Sequence, residues 1–230
     1  MTAITRKKNN PRQLSRKDWT VPILLILLGL VPVMGGIFRM TQLSIGAVTP
    51  DNARFFADPI PVVLHIISNI LYSIFGAFQF SKGFRLWKPR WHRMIGRVLL
   101  PSGIIVALSG LWMSQFYDLP PLDGQFLYIQ RLVFGWGMVA CLILGALAIR
   151  QRKYKQHGAW MIRAYAIALG AGTQVLTYIP WFIVFGEANE FERAMLMGLS
   201  WLINIIVAEW IIQTRLQPKK PNQTSLAISA

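Results

Sequence analysis

Two histidines, His92 and His157, are the residues whose types and spacing best suit cofactor chemistry in this chain. Each lies where a basic segment passes into an apolar run, so both are expected at the same depth on different helices. Two facing imidazoles are what axial ligation of a b-type haem requires. Arg97, Trp160 and Arg163 lie in the same two junctions and complete the predicted cofactor-binding set. The predicted cofactor is one b-type haem or a quinone.

A plainer interpretation of these histidines stays open. Both lie at the expected membrane interface rather than inside a span, where an imidazole can hydrogen-bond loops and nearby cations can contact lipid phosphates. A single haem cannot carry electrons across a bilayer alone. On this interpretation His92 and His157 only stabilise the ends of their helices.

A second pair, Arg163 and Glu209, is placed at equal depth, about five residues inside the inner ends of two different helices. A charge inside a bilayer commonly costs several kcal/mol unless a partner neutralises it. No other acid is expected at that depth on the inner side. The sequence therefore predicts an ion pair between Arg163 and Glu209.

An outer polar pocket is predicted from His65, Asn69, Arg131 and Gln174. His65 and Arg131 each lie roughly 7 Å below the outer boundary by helical rise, and Asn69 is one turn from His65. The alternative is that Arg131 reaches outward to Asp123 while His65 hydrogen-bonds a neighbouring helix. Both interpretations follow equally well from the sequence.

The elements that must position these side chains are apolar. Of 230 residues, 54% are hydrophobic and only 14% are charged, below the quarter usual in soluble domains. The net charge of +15 resides largely in short basic segments beside apolar runs, which indicates a bilayer and anionic lipid headgroups as partners and no nucleic acid. The single cysteine, Cys141, offers no disulfide or thiolate metal site, and no metal, P-loop or triad motif assigns catalytic residues.

The predicted fold class is all-α, a polytopic integral membrane protein with a bundle of six transmembrane helices. This domain spans 19–214, between a cytoplasmic basic tail at 1–18 and a cytoplasmic polar tail at 215–230. The distribution of Lys and Arg places both termini in the cytoplasm. The helices are predicted at 20–38, 60–80, 92–116, 126–149, 158–179 and 194–214.

Several runs, including WHRMIGRV, LYIQRLVFG and HGAWMIRAYAI, resemble the bacterial predicted membrane protein family called domain-of-unknown-function family 2306. The similarity covers about 52–215, and its most specific pieces are HRxxGR at 92–97 and HxxWMxRxYA at 157–166. The chain departs from the family in having Gly158 after the second histidine, where the family has Arg. The resemblance implies a multi-helix membrane protein and no particular activity. It places motif positions at His65, Gln79, His92, Arg97, Arg131, His157, Trp160, Arg163, Gln174 and Glu209.

Three functions remain open from the sequence. The first is a protein of the bacterial inner membrane that binds a small molecule or redox cofactor between helices, which needs His92 and His157 to face each other. The second is a transporter or lipid-handling protein whose basic cytoplasmic face binds an anionic headgroup or substrate, with Asn204 as a mid-depth polar group. The third is a structural or assembly partner, in which polar groups pair with one another and leave no cavity.

Overall fold

Helices form all the regular structure in residues 14–216, the part of the chain that this computed structural model describes. They are α1 (Arg16–Ile45), α2 (Ala53–Ala57), α3 (Pro59–Gln79), α4 (Lys82–Trp87), α5 (Pro89–Phe116), α6 (Gln125–Arg150), α7 (Tyr154–Ala168), α8 (Gly170–Phe185) and α9 (Glu190–Arg215). Five of them, α1, α3, α5, α6 and α9, are long and apolar enough to cross a membrane. The predicted all-α class is confirmed, and the predicted tails lie mostly outside the described residues.

The first span is longer than predicted. Residues after Phe38 are polar, which suggested a loop, but α1 continues to Ile45. Thr41 and Ser44 donate hydrogen bonds to backbone carbonyls four residues earlier, so their side chains are satisfied within the helix. The helix then ends at Gly46, whose φ of 70° is the left-handed cap that glycine adopts without a Cβ clash.

The fifth predicted helix is a broken span. Instead of one helix over 158–179, α7 and α8 meet at Leu169 with a bend of 44°. Two close approaches accompany the bend. Gly170 lies against the indole of Trp201, and Gly172 lies so close to the Leu28 carbonyl that a Cβ there would collide with it. The bend carries the chain from α6, which α7 packs against, to α1, which α8 packs against.

Side-chain contacts show that α7 and α8 lie one after the other along α9. Near the start of the pair, Arg163 contacts Glu209 towards the end of α9. Beyond the bend, Thr173 contacts Asn204, and Thr177 then contacts Ser200. The partner on α9 thus moves steadily towards its N-terminus, so the bent pair runs antiparallel beside α9. The pair is therefore the sixth candidate span, since its combined length and hydropathy are sufficient to cross a membrane.

The core lies between α3, α5, α6 and α7 and is organised by two tyrosines. The Tyr165 ring packs against Gly76 of α3, and its hydroxyl donates to the Ser73 carbonyl at 2.6 Å. The ring of Tyr72 packs against Gly103 of α5 in the same way. A Cβ at either glycine would collide with the ring, so these small residues fix how closely the helices approach.

The two ends of the bundle carry opposite charge. One end, the basic face, carries the cations of the α3–α5 and α6–α7 connections, Lys82, Arg85, Lys88, Arg90, Arg93, Arg150, Arg152, Lys153 and Lys155. The other end, the acidic face, carries Asp51, Asp58, Asp118, Asp123, Glu187, Glu190 and Glu192. Both ends of the described chain lie at the basic face, because Asp18 contacts Ser81 and Leu216 lies beside Gly158.

Candidate functional site

Three polar side chains converge at the basic end of the bundle and are called the histidine site here: Gln79 of α3, His92 of α5 and His157 of α7. Gln79 packs beside Gly96, one helical turn from His92 on the same face of α5. His92 and His157 each lie in the first turn of their helix, at the same end of the bundle. Both α5 and α7 pack on α3 and on α6, which brings the three side chains to one place.

The histidine site contains polar atoms whose bonding is incomplete. Gln79 Nε2 and His92 Nδ1 are buried without a hydrogen-bond partner in the described part of the chain. Leaving a buried polar group unpaired costs about 1–3 kcal/mol. His157 differs, because its Nδ1 lies 2.9 Å from the carbonyl oxygen of Gly145 on α6. That contact fixes the ring and leaves Nε2 as the ring atom available to a ligand.

The remaining members of the predicted cofactor-binding set divide between two environments. Trp160 and Arg163 lie on α7 with His157, and the Arg163 guanidinium carbon is 4.7 Å from the centroid of the Trp160 ring. The same guanidinium forms a two-point pair with Glu209. Arg97 is exposed on α5, so it lies at the surface of the bundle rather than in the histidine site.

The acidic end has its own buried charge cluster, centred on Asp123. The Asp123 side chain is 1% exposed, and its two oxygens lie 2.5 Å from Arg131 Nη2 and 2.8 Å from Arg193 Nε. Arg131 belongs to α6 and Arg193 to α9, so the carboxylate connects the α5–α6 loop with two helices. Arg131 is therefore engaged with Asp123, the alternative that the sequence left open.

The four residues of the predicted outer pocket occupy separate interfaces. His65 Nδ1 lies 3.1 Å from both the Val106 carbonyl and the Ser109 hydroxyl of α5. Asn69 accepts a hydrogen bond from Ser73 on its own helix. Gln174 is half-buried on α8 and contributes its backbone carbonyl to Thr177. His65 thus joins α3 to α5, whereas the contacts of Asn69 and Gln174 lie within their own helices.

Asn204 has a structural partner on each side. Its Oδ1 accepts from the Thr173 hydroxyl at 2.8 Å, and its Nδ2 donates to the Ala166 carbonyl at 3.0 Å. Ala166 lies in the last turn of α7, next to the break. The amide therefore satisfies backbone at the bend, as buried irregular backbone in a membrane requires.

Two contributors were not assigned from the sequence. Gln79 had a motif position but no role, and only its burial beside His92 singles it out. Arg193 follows the acids of the last outer loop, and its charge at the start of an apolar helix was the available signal. Among residues 14–216, no three His, Cys, Asp or Glu side chains group as a metal site would need.

The helices and their charge distribution define a polytopic α-helical membrane protein with polar clusters at both ends of its bundle. Its family follows from the sequence, since residues 62–212 match the model described as predicted membrane protein, DUF2306. The match covers more than half of the chain, and the protein belongs to that family. Comparison with curated proteins and with solved structures returned no match.

Proposed function

We propose that this protein binds a quinone at the histidine site. The observation that carries the proposal is the burial of Gln79 Nε2 and His92 Nδ1 without partners at one helix interface. Buried polar groups in folded proteins are almost always hydrogen-bonded, so two neighbouring exceptions indicate a partner from outside the chain. The site lies at the membrane interface, where a lipid-soluble molecule with a polar head resides.

The chemistry of the available donors favours a carbonyl group. The Gln79 amide nitrogen can only donate, and an imidazole nitrogen of His92 can also donate. A quinone carbonyl accepts both hydrogen bonds. Histidine carries a ring N–H in both of its protonation states, so His92 can donate a hydrogen bond to a quinone carbonyl.

A b-type haem is the second candidate, favoured by the geometry of His157. A carbonyl bond at Nδ1, like that to Gly145, is how proteins usually orient an imidazole that ligates metal through Nε2. His92 would supply the second ligand. Haem ligation would thus use His92 and His157, whereas quinone binding would use Gln79 and His92.

Binding of decylubiquinone to purified protein, followed by quenching of tryptophan fluorescence, tests the quinone proposal. Gln79→Leu and His92→Leu each remove one donor, and we expect each to weaken binding about tenfold, the effect of losing one hydrogen bond. Gln174→Leu is the matched control, because this half-buried glutamine lies on α8 away from the site. Equal affinity in wild type and both site variants would refute the proposal.

The absorption spectrum before and after dithionite separates the two cofactors. Haem ligated by both histidines should give a Soret band with sharp reduced α and β bands. His92→Ala and His157→Ala should each abolish these bands, whereas His65→Ala should leave them, since His65 bonds to α5. Colourless wild-type protein from cells supplied with haem would exclude the haem candidate and leave the quinone candidate standing.

We also infer that the basic face is cytoplasmic and that the protein resides in a bacterial inner membrane. The support is the concentration of Lys and Arg in the short connections at one end of the bundle. Such connections are retained on the cytoplasmic side during insertion. The histidine site then lies at the cytoplasmic interface, within reach of soluble electron donors.

A further inference from the structure

A groove of about 310 Å³ lies beside the short helix α4 at the basic face, and it is called the α4 groove here. Its walls come from α3, α4 and α5 and are almost wholly apolar. Among residues 14–216, Lys88 is the one charged side chain that lines it. The other lining residues are Phe75, Phe78, Phe84, Trp87, Trp91 and Ile95.

The helix that forms one wall of the groove is held in place. The Ser81 hydroxyl caps α4 by accepting from the Phe84 amide, and it donates to the Asp18 carbonyl of α1 at 2.8 Å. Gly83 packs so tightly on the Asp18 side chain that a Cβ would collide with it. Because α4 is fixed to α1, the groove exists before any ligand arrives, and binding need not order it.

The chain segment that forms the mouth of the groove is rich in positive charge. Residues 80–95 include five Lys and Arg residues and no Asp or Glu. Lys88 Nζ lies 4.8 Å from the centroid of the Trp87 ring, so this cation is positioned over the aromatic wall. An anionic group at the mouth would meet Lys88 first, with the other cations of the segment nearby.

The groove also extends inward from the interface, along the path of the first part of an acyl chain. Phe75 lies one turn inside the end of α3, and Ile95 lies six residues inside α5, which places them about 6 and 9 Å from the ends of these helices. The groove thus extends from the interface, where phosphates lie, towards the hydrocarbon region. The positive charge lies at the interface and the apolar surface lies deeper, which matches the phosphate and the acyl chain of a phospholipid.

We propose that the α4 groove binds one anionic phospholipid, with its phosphate at Lys88 and an acyl chain between Trp91, Phe78 and Phe75. Apolar walls alone would take any lipid, so selectivity for an anionic headgroup comes from Lys88. The residues that line the groove are distinct from Gln79, His92 and His157, although Phe75 lies one helical turn from Gln79 on α3.

Native mass spectrometry of protein equilibrated with equimolar palmitoyl-oleoyl phosphatidylglycerol and phosphatidylcholine tests the site. We expect one phosphatidylglycerol to be retained in preference. Lys88→Glu should reduce that preference about fivefold or more, because it reverses the charge at the mouth. Lys153→Glu is the control, since it makes the same change at an exposed basic-face residue outside the groove.

A second variant pair tests the apolar wall. Trp91→Ala should lower retention of both lipids. Trp136→Ala is the matched control and should not, because the two tryptophans are similarly exposed, at 52% and 58%, but only Trp91 lines the groove. Equal retention of the two lipids by wild-type protein would overturn the proposal and indicate ordinary annular lipid. Equal effects of the two lysine variants, or of the two tryptophan variants, would overturn it as well.

Discussion

Arg163 and Glu209 join α7 to α9 through two hydrogen bonds, with Nε 2.5 Å from Oε1 and Nη2 2.9 Å from Oε2. The side chains are 25% and 35% exposed, so the pair is only partly covered by protein. Trp160 flanks the guanidinium on the same helix. Each charge neutralises the other at a depth where an unpaired charge would have a high free energy in lipid.

Removing one partner of this pair should destabilise the protein more than removing both. Glu209→Gln and Arg163→Gln each leave a lone charge, and we expect each to cost about 1–3 kcal/mol, less than a fully buried pair would lose. At about 2–4 °C for each kcal/mol, the loss is measurable as the melting temperature in detergent. The double variant should recover part of it.

The exposed Arg97 supplies the control for this cycle, since Arg97→Gln also removes one arginine and should leave the melting temperature unchanged. Strictly additive losses for Arg163→Gln and Glu209→Gln would show that the two side chains do not interact. Glu209 would then be an unpaired carboxyl within the membrane. In that case proton-coupled transport would be a better hypothesis for the function of this protein than quinone binding.

Asp123→Asn should be the most damaging single change at the acidic face. The substitution keeps the shape of a side chain that is 1% exposed but leaves Arg131 and Arg193 without a counter-charge. We expect a loss of about 3–5 kcal/mol in detergent unfolding. Arg193→Gln should cost less, because Arg131 still neutralises the carboxylate. Asp118→Asn is the control, because it makes the same change at an exposed acid. If Asp123→Asn and Asp118→Asn lower the free energy of unfolding equally, the charge cluster around Asp123 does not stabilise the protein.

The close packing of α1 and α8 can be tested with two glycines. Gly172→Ala places a Cβ against the Leu28 carbonyl, and we expect a loss of about 1–3 kcal/mol from overpacking. Gly35→Ala lies on α1 with nothing within 4 Å of its new Cβ, so it should gain the helix propensity of alanine. Thermal unfolding in detergent measures both. A neutral Gly172→Ala would mean that the helices can separate at the bend at no cost.

Cysteine labelling in intact cells tests the topology and the broken span together. In a Cys141→Ala background, cysteines at Lys88 and Lys153 should react only after the membrane is permeabilised, and cysteines at Asp118 and Glu187 should react from outside. All four positions are exposed. Lys153 and Glu187 lie on either side of α7 and α8, so labelling of both from the same side would show a re-entrant loop instead of a crossing.

Features set by composition and depth were predictable from the sequence. Apolar runs gave the helices, and their basic and acidic flanks gave the two faces. The contact between Arg163 and Glu209 followed from two charges at equal depth with no competing partner. One of two open alternatives for Arg131 named Asp123, because the arginine side chain is long enough to reach the loop.

Features that depend on contact between distant helices were not predictable. The local signal for a break at Leu169 is weak: Gly170 and Gly172 lower helix propensity, but the close approaches to Trp201 and Leu28 exist only after α9 and α1 have packed. The position of a polar residue along a predicted helix gives its depth in the membrane, but not the neighbouring helix that its side chain faces. The four outer polar residues therefore looked like one pocket, although they face different neighbours.

The bond between the Tyr165 hydroxyl and the Ser73 carbonyl spans 92 residues of sequence. Its donor lies on α7 and its acceptor on α3, two spans that are made far apart in time as the ribosome extends the chain. Consecutive spans such as α3 and α5 can pair as soon as both have left the translocon. The slot at Gly76 stays unfilled until α7 arrives, so the final packing of the core waits for the fifth crossing.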